Sequence, residues 1–188
     1  MAFRKLVIAG AVVVAGTAGV FAYTKAMARI STVEPPPLAA SEAQADRIMV
    51  SKNDKTLYLL QGDKVLKSYR ISMGGGWDEG HKQREGDERT PEGSYQIDWR
   101  NERSRAYLSL HISYPNAEDS AQAKAGGYSP GGDIMIHGLP NGLGWFAPVH
   151  HLMDWTDGCI AVTNEEMREI WSLVANTTPI VIEKEWRP

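Results

Sequence analysis

From Arg47 to position 137 the apolar residues come in short runs that alternate with polar ones or are cut by Gly, Asn, Asp and Pro. That is the pattern of β-strands joined by turns. Positions 48–50 lead into the break Ser51-Lys52-Asn53-Asp54, followed by 56–60, the turn Gln61-Gly62-Asp63, and 65–72. These gaps are too short for a helix, so the three strands are expected to form antiparallel hairpins. Positions 94–99 alternate, which places Tyr95, Ile97 and Trp99 on one face; positions 106–112 place Leu108, Leu110 and Ile112 together with Tyr107, Ser109 and His111 opposite. His111 reads as a structural or surface residue.

The C-terminal part changes period. Positions 117–125 suit a short helix stopped by Gly126-Gly127, and 133–137 read as a central strand. The connection after His137, with Pro140, Asn141-Gly142, Gly144 and Pro148, is irregular, with a brief helix expected around 149–153. After Val162 the sequence Thr163-Asn164-Glu165-Glu166 carries a capping box, and Met167, Ile170, Trp171 and Val174 follow helical spacing. Positions 180–182 supply a last strand. The expected fold is mainly β with minor α and one clear helix in the C-terminal half.

The 188 residues give room for one ordinary domain plus an appendage. Arg4 and Lys5 precede positions 6–23, which carry no charge, and Lys25-Ala26-Met27-Ala28 follows. This reads as an export signal cut after Ala28 or, if retained, a single-pass anchor with its basic end in the cytoplasm. Positions 29–46, with Pro35-Pro36-Pro37, read as an extended linker, leaving 47–188 as the folded domain. The first 28 residues hold three basic groups and no acids, so the overall formal charge of −3 leaves about −6 on the rest. A mildly acidic exported domain is a poor fit to nucleic acid.

Cys159 is the only cysteine, so no internal disulfide is possible. It follows Gly158, where a polar turn gives way to Ile160-Ala161-Val162, and His137 likewise ends an apolar run before Gly138. A thiol of ordinary pKa is mostly protonated at neutral pH, and a nearby imidazole is a common means of activating it. Gly158 lets a carbonyl carbon approach, and the backbone N–H groups around it are candidate oxyanion donors. Packing as a small buried hydrophobe is the alternative use of this cysteine.

His-Gly, a loop, then Thr156-Asp157-Gly158-Cys159-Ile160 and Asn164 resembles the signature of the YkuD-type L,D-transpeptidase catalytic domain. The resemblance extends upstream through Gly86-Asp87-Glu88-Arg89-Thr90-Pro91-Glu92-Gly93 and Ser113-Tyr114-Pro115-Asn116 to about Arg47. It implies a β-sandwich-like fold of mixed sheets and a Cys159 nucleophile with His137 as its base, oriented by the Gly138 carbonyl. The implied reaction is attack at the diaminopimelate carbonyl of peptidoglycan stem peptides through a thioester, with no metal or cofactor. Gly158, Asp157, Thr156 and Arg89 are the implied oxyanion and substrate-binding positions, Arg89 alternatively fixing the Thr90-Pro91 turn. Asp157 stands where most of the family has histidine, and Ala161 where many have arginine. Both features, with Thr90-Pro91-Glu92-Gly93, resemble the branch containing the murein endopeptidase that releases lipoprotein from peptidoglycan, so a peptidoglycan-linked lipoprotein is a candidate partner.

Asp157 is expected to brace its turn, because a carboxylate beside Cys159 disfavours thiolate. Lys82, Arg84 and Arg89 read as a solvated face. Trp145 and Trp155 are candidate pocket residues. Met73-Gly74-Gly75-Gly76 lacks the Gly-Lys-Ser/Thr of a phosphate loop. A zinc hydrolase using His137, His150, His151, Asp154 and Cys159 lacks paired spacing. A non-catalytic wall-binding module on the same scaffold is the remaining alternative.

Overall fold

The computed structural model describes residues 33–188, together with Gly19, Ala22, Tyr23, Ala26 and Met27. The expected export segment at 1–28 otherwise lies outside the described residues. Eight strands, β1 (Arg47–Ser51), β2 (Thr56–Gln61), β3 (Lys64–Arg70), β4 (Gly93–Asn101), β5 (Ser109–Ile112), β6 (Met135–His137), β7 (Ile160–Ala161) and β8 (Pro179–Glu183), form one mixed sheet. Their order is β3-β2-β1-β8-β4-β5-β6-β7. Within residues 33–188 two α-helices accompany them, α1 (Ala117–Gly126) and α2 (Asn164–Leu173).

The hairpins β1-β2 and β2-β3 are antiparallel, as the short turns require. β8 lies parallel to β1 and antiparallel to the first half of β4. The second half of β4 pairs with β5 instead, and the register slips between Ile97 and Arg100. A bulge bends a strand and takes its side chains out of phase, so one sheet can supply both layers of a sandwich. It also moves Trp99 off the buried face that Tyr95 and Ile97 share. Simple alternation placed it there; its indole is instead 40% exposed.

The far edges of the sheet meet. Ser72, just beyond β3, exchanges two backbone hydrogen bonds with Ala161 of β7 at 3.0 and 2.8 Å, and Thr156 N–H donates to Met73 O at 3.1 Å. The enclosed core takes Ile48, Val50, Leu57, Leu59, Ile97, Leu110, Ile112, Ile136, Ile160, Ile180 and Ile182 from the strands, Ile71 from just beyond β3, and Met167, Ile170 and Trp171 from α2. Each large apolar side chain buried this way stabilises by roughly 2 kcal/mol.

Local chemistry sets the helix ends. Thr163 and Glu166 form the expected capping box of α2, with Glu166 N–H on Thr163 Oγ1 and Thr163 N–H on Glu166 Oε2. At its other end the Arg100 guanidinium donates to Trp171 O and Val174 O, both at 2.5 Å, and lies 4.0 Å over the Trp171 ring. α1 is capped by Asn116 and stopped by Gly127 in the left-handed region.

One expectation is corrected, at Lys82, and two other stretches carry contacts that the sequence did not show. Within 33–46, Ala39 N–H and Ala45 N–H donate to Ser172 O and Leu173 O of α2, Arg168 holds Glu34 O at 3.1 Å, and Ala45 is buried. Lys82 is no solvated residue, for its buried ammonium pairs with Asp87 at 2.7 Å. Lys52, in what reads as a turn, is the largest fully buried side chain. It donates to Glu92 Oε1 at 2.7 Å, Gly80 O at 3.0 Å and Thr90 O at 3.2 Å, tying the loop before β4 to β1.

Removing one member of such a pair leaves an uncompensated buried charge. Lys52→Met is expected to cost about 3 kcal/mol in urea unfolding of the full chain; a cost below about 1 kcal/mol would show that the pair is dispensable.

Candidate active site

β6 and β7 run parallel, with Ile136 opposite Ile160 and His137 opposite Ala161. Side chains alternate across a strand, so Ile136 and Ile160 enter the core while His137 stands on the other face. Cys159, one residue before β7, falls beside Met135, whose N–H donates to Sγ at 3.4 Å. β5 continues this face with Ser109 opposite His137 and His111 opposite Met135. A cleft of about 560 Å³ opens over it, with His137, Cys159, Met135 and Ser109 on its floor. Asp133, Trp155, Thr156 and Asp157 form one wall; Trp99, Asn101, Arg103, Ser104 and Arg105 form another.

His137 is buried and donates from Nδ1 to Gly138 O at 2.6 Å, leaving Nε2 as the acceptor in a neutral ring. The Trp155 ring meets the imidazole edge-on at 5.8 Å. Burial holds His137 below the ordinary histidine range, more strongly than the Gly138 carbonyl raises it. Protein packed around the partly exposed Cys159 pushes its thiol up to about 11, the Met135 N–H opposing this and the Asp157 and Asp133 carboxylates adding to it. The resting pair is therefore neutral thiol and neutral imidazole. Sγ donates to Asp133 O at 3.5 Å, and among the described residues no hydrogen bond joins it to His137.

The turn at Cys159 is braced by Thr156, not by Asp157. Thr156 Oγ1 donates to Cys159 O at 2.7 Å and accepts from Gly158 N–H at 3.3 Å. Asp157 is exposed on the cleft wall and makes no hydrogen bond among the described residues. The Gly158 N–H, committed to Thr156, is no free oxyanion donor. Gly158 has φ +111°, and a Cβ there would run into Arg89 O. A Cβ at Gly138 would meet Asn164 Oδ1 at 2.7 Å and Tyr107 Cβ at 2.8 Å.

Arg89 supports the turn from behind through its backbone. Its guanidinium points to Glu79 at 2.8 Å and is not part of the cleft. Sequence reasoning missed Trp99, which stacks on His111 at 4.9 Å while His111 pairs with Asp98 at 2.6 Å; the alternation of β5 already allowed His111 to face a groove. Trp155 lines the cleft, whereas Trp145 is 75% exposed away from it. The candidate zinc ligands are drawn apart, His150 onto Ser72 Oγ at 3.2 Å and Asp154 onto Lys55 at 2.5 Å.

An imidazole on β6 and a thiol one residue before β7 thus line one cleft in a curled mixed sheet. The sequence matches the YkuD L,D-transpeptidase catalytic domain over residues 45–182, and the chain belongs to that family. It is 35% identical over 135 residues to YafK of Escherichia coli (strain K12), which carries an L,D-transpeptidase name. That alignment covers 68% of this chain but 46% of YafK, so the chain spans less than half the length of this relative. The helical cell shape determining protein Pgp2 of Campylobacter jejuni superposes with TM-score 0.54 and 25% identity, covering 74% of this chain and 48% of Pgp2. Bd1075 of Bdellovibrio bacteriovorus shares the fold at TM-score 0.51 and 23% identity, covering 79% of this chain and 51% of its own.

Two measurements test the turn. Gly158→Ala is expected to lose about 2 kcal/mol or more in thermal unfolding, because strain at positive φ adds to the clash with Arg89. Asp157→Asn removes a carboxylate that disfavours thiolate, so iodoacetamide labelling of the single thiol at pH 8 should quicken roughly two- to fivefold. An unchanged rate would mean that this carboxylate does not act on the sulfur.

Proposed function

We propose that the protein is a cysteine-dependent enzyme acting on peptidoglycan stem peptides, with Cys159 attacking the diaminopimelate carbonyl to form a thioester. The observation that carries this is the shared floor of His137 and Cys159, with His137 Nδ1–H fixed on Gly138 O and Nε2 left to take the thiol proton. Because both groups rest neutral, proton transfer accompanies attack and does not precede it as a stored ion pair. His137 Nε2–H then protonates the leaving amine. With Gly158 N–H engaged, the Cys159 N–H is the donor assigned to the oxyanion. The thioester is resolved by an amine, giving a cross-link or lipoprotein attachment, or by water.

Hydrolysis of the lipoprotein–peptidoglycan link is the second reading, favoured by Asp157 beside the nucleophile, where a carboxylate offers an ordered site to water. In either reading the domain works outside the cytoplasm, with positions 6–23 as its signal or retained anchor.

Full chain incubated with muropeptides, and separately with lipoprotein-linked peptidoglycan, should give shortened stems whose masses report water or amine as the acceptor. Cys159→Ala should lower turnover by at least about a thousandfold, and His137→Gln by a comparable factor. Undiminished turnover in Cys159→Ala removes the nucleophile assignment, and tight wall binding without any turnover leaves only the binding module.

A further inference from the structure

The connection from β6 to β7 carries a feature that the chemistry does not use. Positions 134–153 are twenty consecutive residues without Asp, Glu, Lys or Arg. Within them Trp145 is 75% exposed, Leu152 70%, Met153 52% and Val149 42%, half of the large apolar side chains that the described surface exposes. Two 3-10 turns, Gly144–Phe146 and His150–Leu152, present them. The loop is anchored from beneath by His150, which is buried with its carbonyl accepting from Ser72 Oγ at 2.8 Å. An apolar cluster held outward on a tied-down loop is unfavourable in water and marks a surface that meets something else.

The N-terminal run indicates what that is. Tyr23, 48% exposed, closes the uncharged positions 6–23, and its ring sits on Gly142, so closely that a Cβ at Gly142 would run into it. The apolar run thus ends where the exposed loop begins. Tryptophan and tyrosine at headgroup level with aliphatic side chains beside them, and no charge to desolvate, suit the interface of a phospholipid bilayer.

We infer that residues 143–153 form a membrane-contact surface, with Trp145, Leu152 and Met153 entering the headgroup–acyl boundary of a phospholipid bilayer beside a retained 6–23 segment. The inference rests on the anchor reading of 6–23 and not on the reaction. Because His137 of β6 and Cys159 just before β7 lie at the two ends of this connection, bilayer contact holds the cleft close to the membrane face.

All six tryptophans lie at Trp77 or later, so tryptophan emission reports the folded domain and not the N-terminal run. Full chain is reconstituted into phosphatidylethanolamine–phosphatidylglycerol vesicles with and without brominated acyl chains, and flotation is checked. Brominated lipid should lower the emission by about a sixth, one tryptophan in six, and Trp145→Phe should abolish that drop. The double variant Leu152→Asp, Met153→Asp should reduce it while the near-ultraviolet circular dichroism stays unchanged. Flotation with equal emission in both vesicles overturns the contact surface and leaves the anchor; so does a drop that persists in full in Trp145→Phe. Emission that ignores brominated lipid but shifts on adding peptidoglycan sacculi gives the surface to the wall instead. A chain that does not float overturns surface and anchor together, while turnover of muropeptides in detergent reports the catalytic reading separately.

Discussion

The parallel pairing of β6 with β7 is the contact on which the site depends. These strands have three and two residues, too few for their ladder to persist alone. Ile136, Ile160 and Val162 are each fully buried on the core side, and that burial, at roughly 2 kcal/mol per side chain, fixes the register. Once Ile136 faces Ile160, His137 and Cys159 are placed on the opposite face. The two Ser72–Ala161 hydrogen bonds then cover the free edge of β7, so the strand that follows the Cys159 turn has a neighbour on each side.

Electrostatics at this site favour rest over reactivity. The usual stabiliser of a thiolate is a nearby cation, yet Lys82, a cation that lowers the Cys159 thiol, is committed to Asp87. Asp133 and Asp157 act in the opposite direction. A buried imidazole that resists protonation cannot supply the missing charge but is a competent proton acceptor. The protein thereby keeps a lone thiol protonated, which suits a single cysteine with no disulfide partner.

Period-two alternation made most strands legible, and capping chemistry made both helices so, because these signals are local. Two strand ends next to glycines allowed the Cys159–His137 juxtaposition, and the family resemblance implied it, since nothing in the spacing of two residues across an irregular loop states which strands pair. What could not be read rests on tertiary contact. A bulge between Ile97 and Arg100 turned Trp99 from the core to the cleft. Lys52 and Lys82 look like surface lysines until the carboxylates and carbonyls that surround them are brought in by the fold. Arg89 looked like a substrate contact, but its carbonyl, and not its guanidinium, lies against the Gly158–Cys159 turn.

Between His137 and Cys159 the chain is almost wholly irregular, yet its two ends are brought to one cleft. Buried and half-buried polar side chains hold it. Asn164 Oδ1 takes Leu139 N–H at 2.8 Å; Asn141 takes Tyr107 N–H at 2.9 Å and gives to Ser104 O at 2.9 Å. His150 is locked on Ser72, Asp154 on Lys55 and Met73 N–H, and Thr156 across the turn to Cys159 O. Each would be costly to bury unpaired and is stabilising only in one arrangement, so together they select one path for the loop. The residues that looked most like metal ligands in the sequence, His150 and Asp154, are thus fasteners of the connection that brings imidazole and thiol to the same floor.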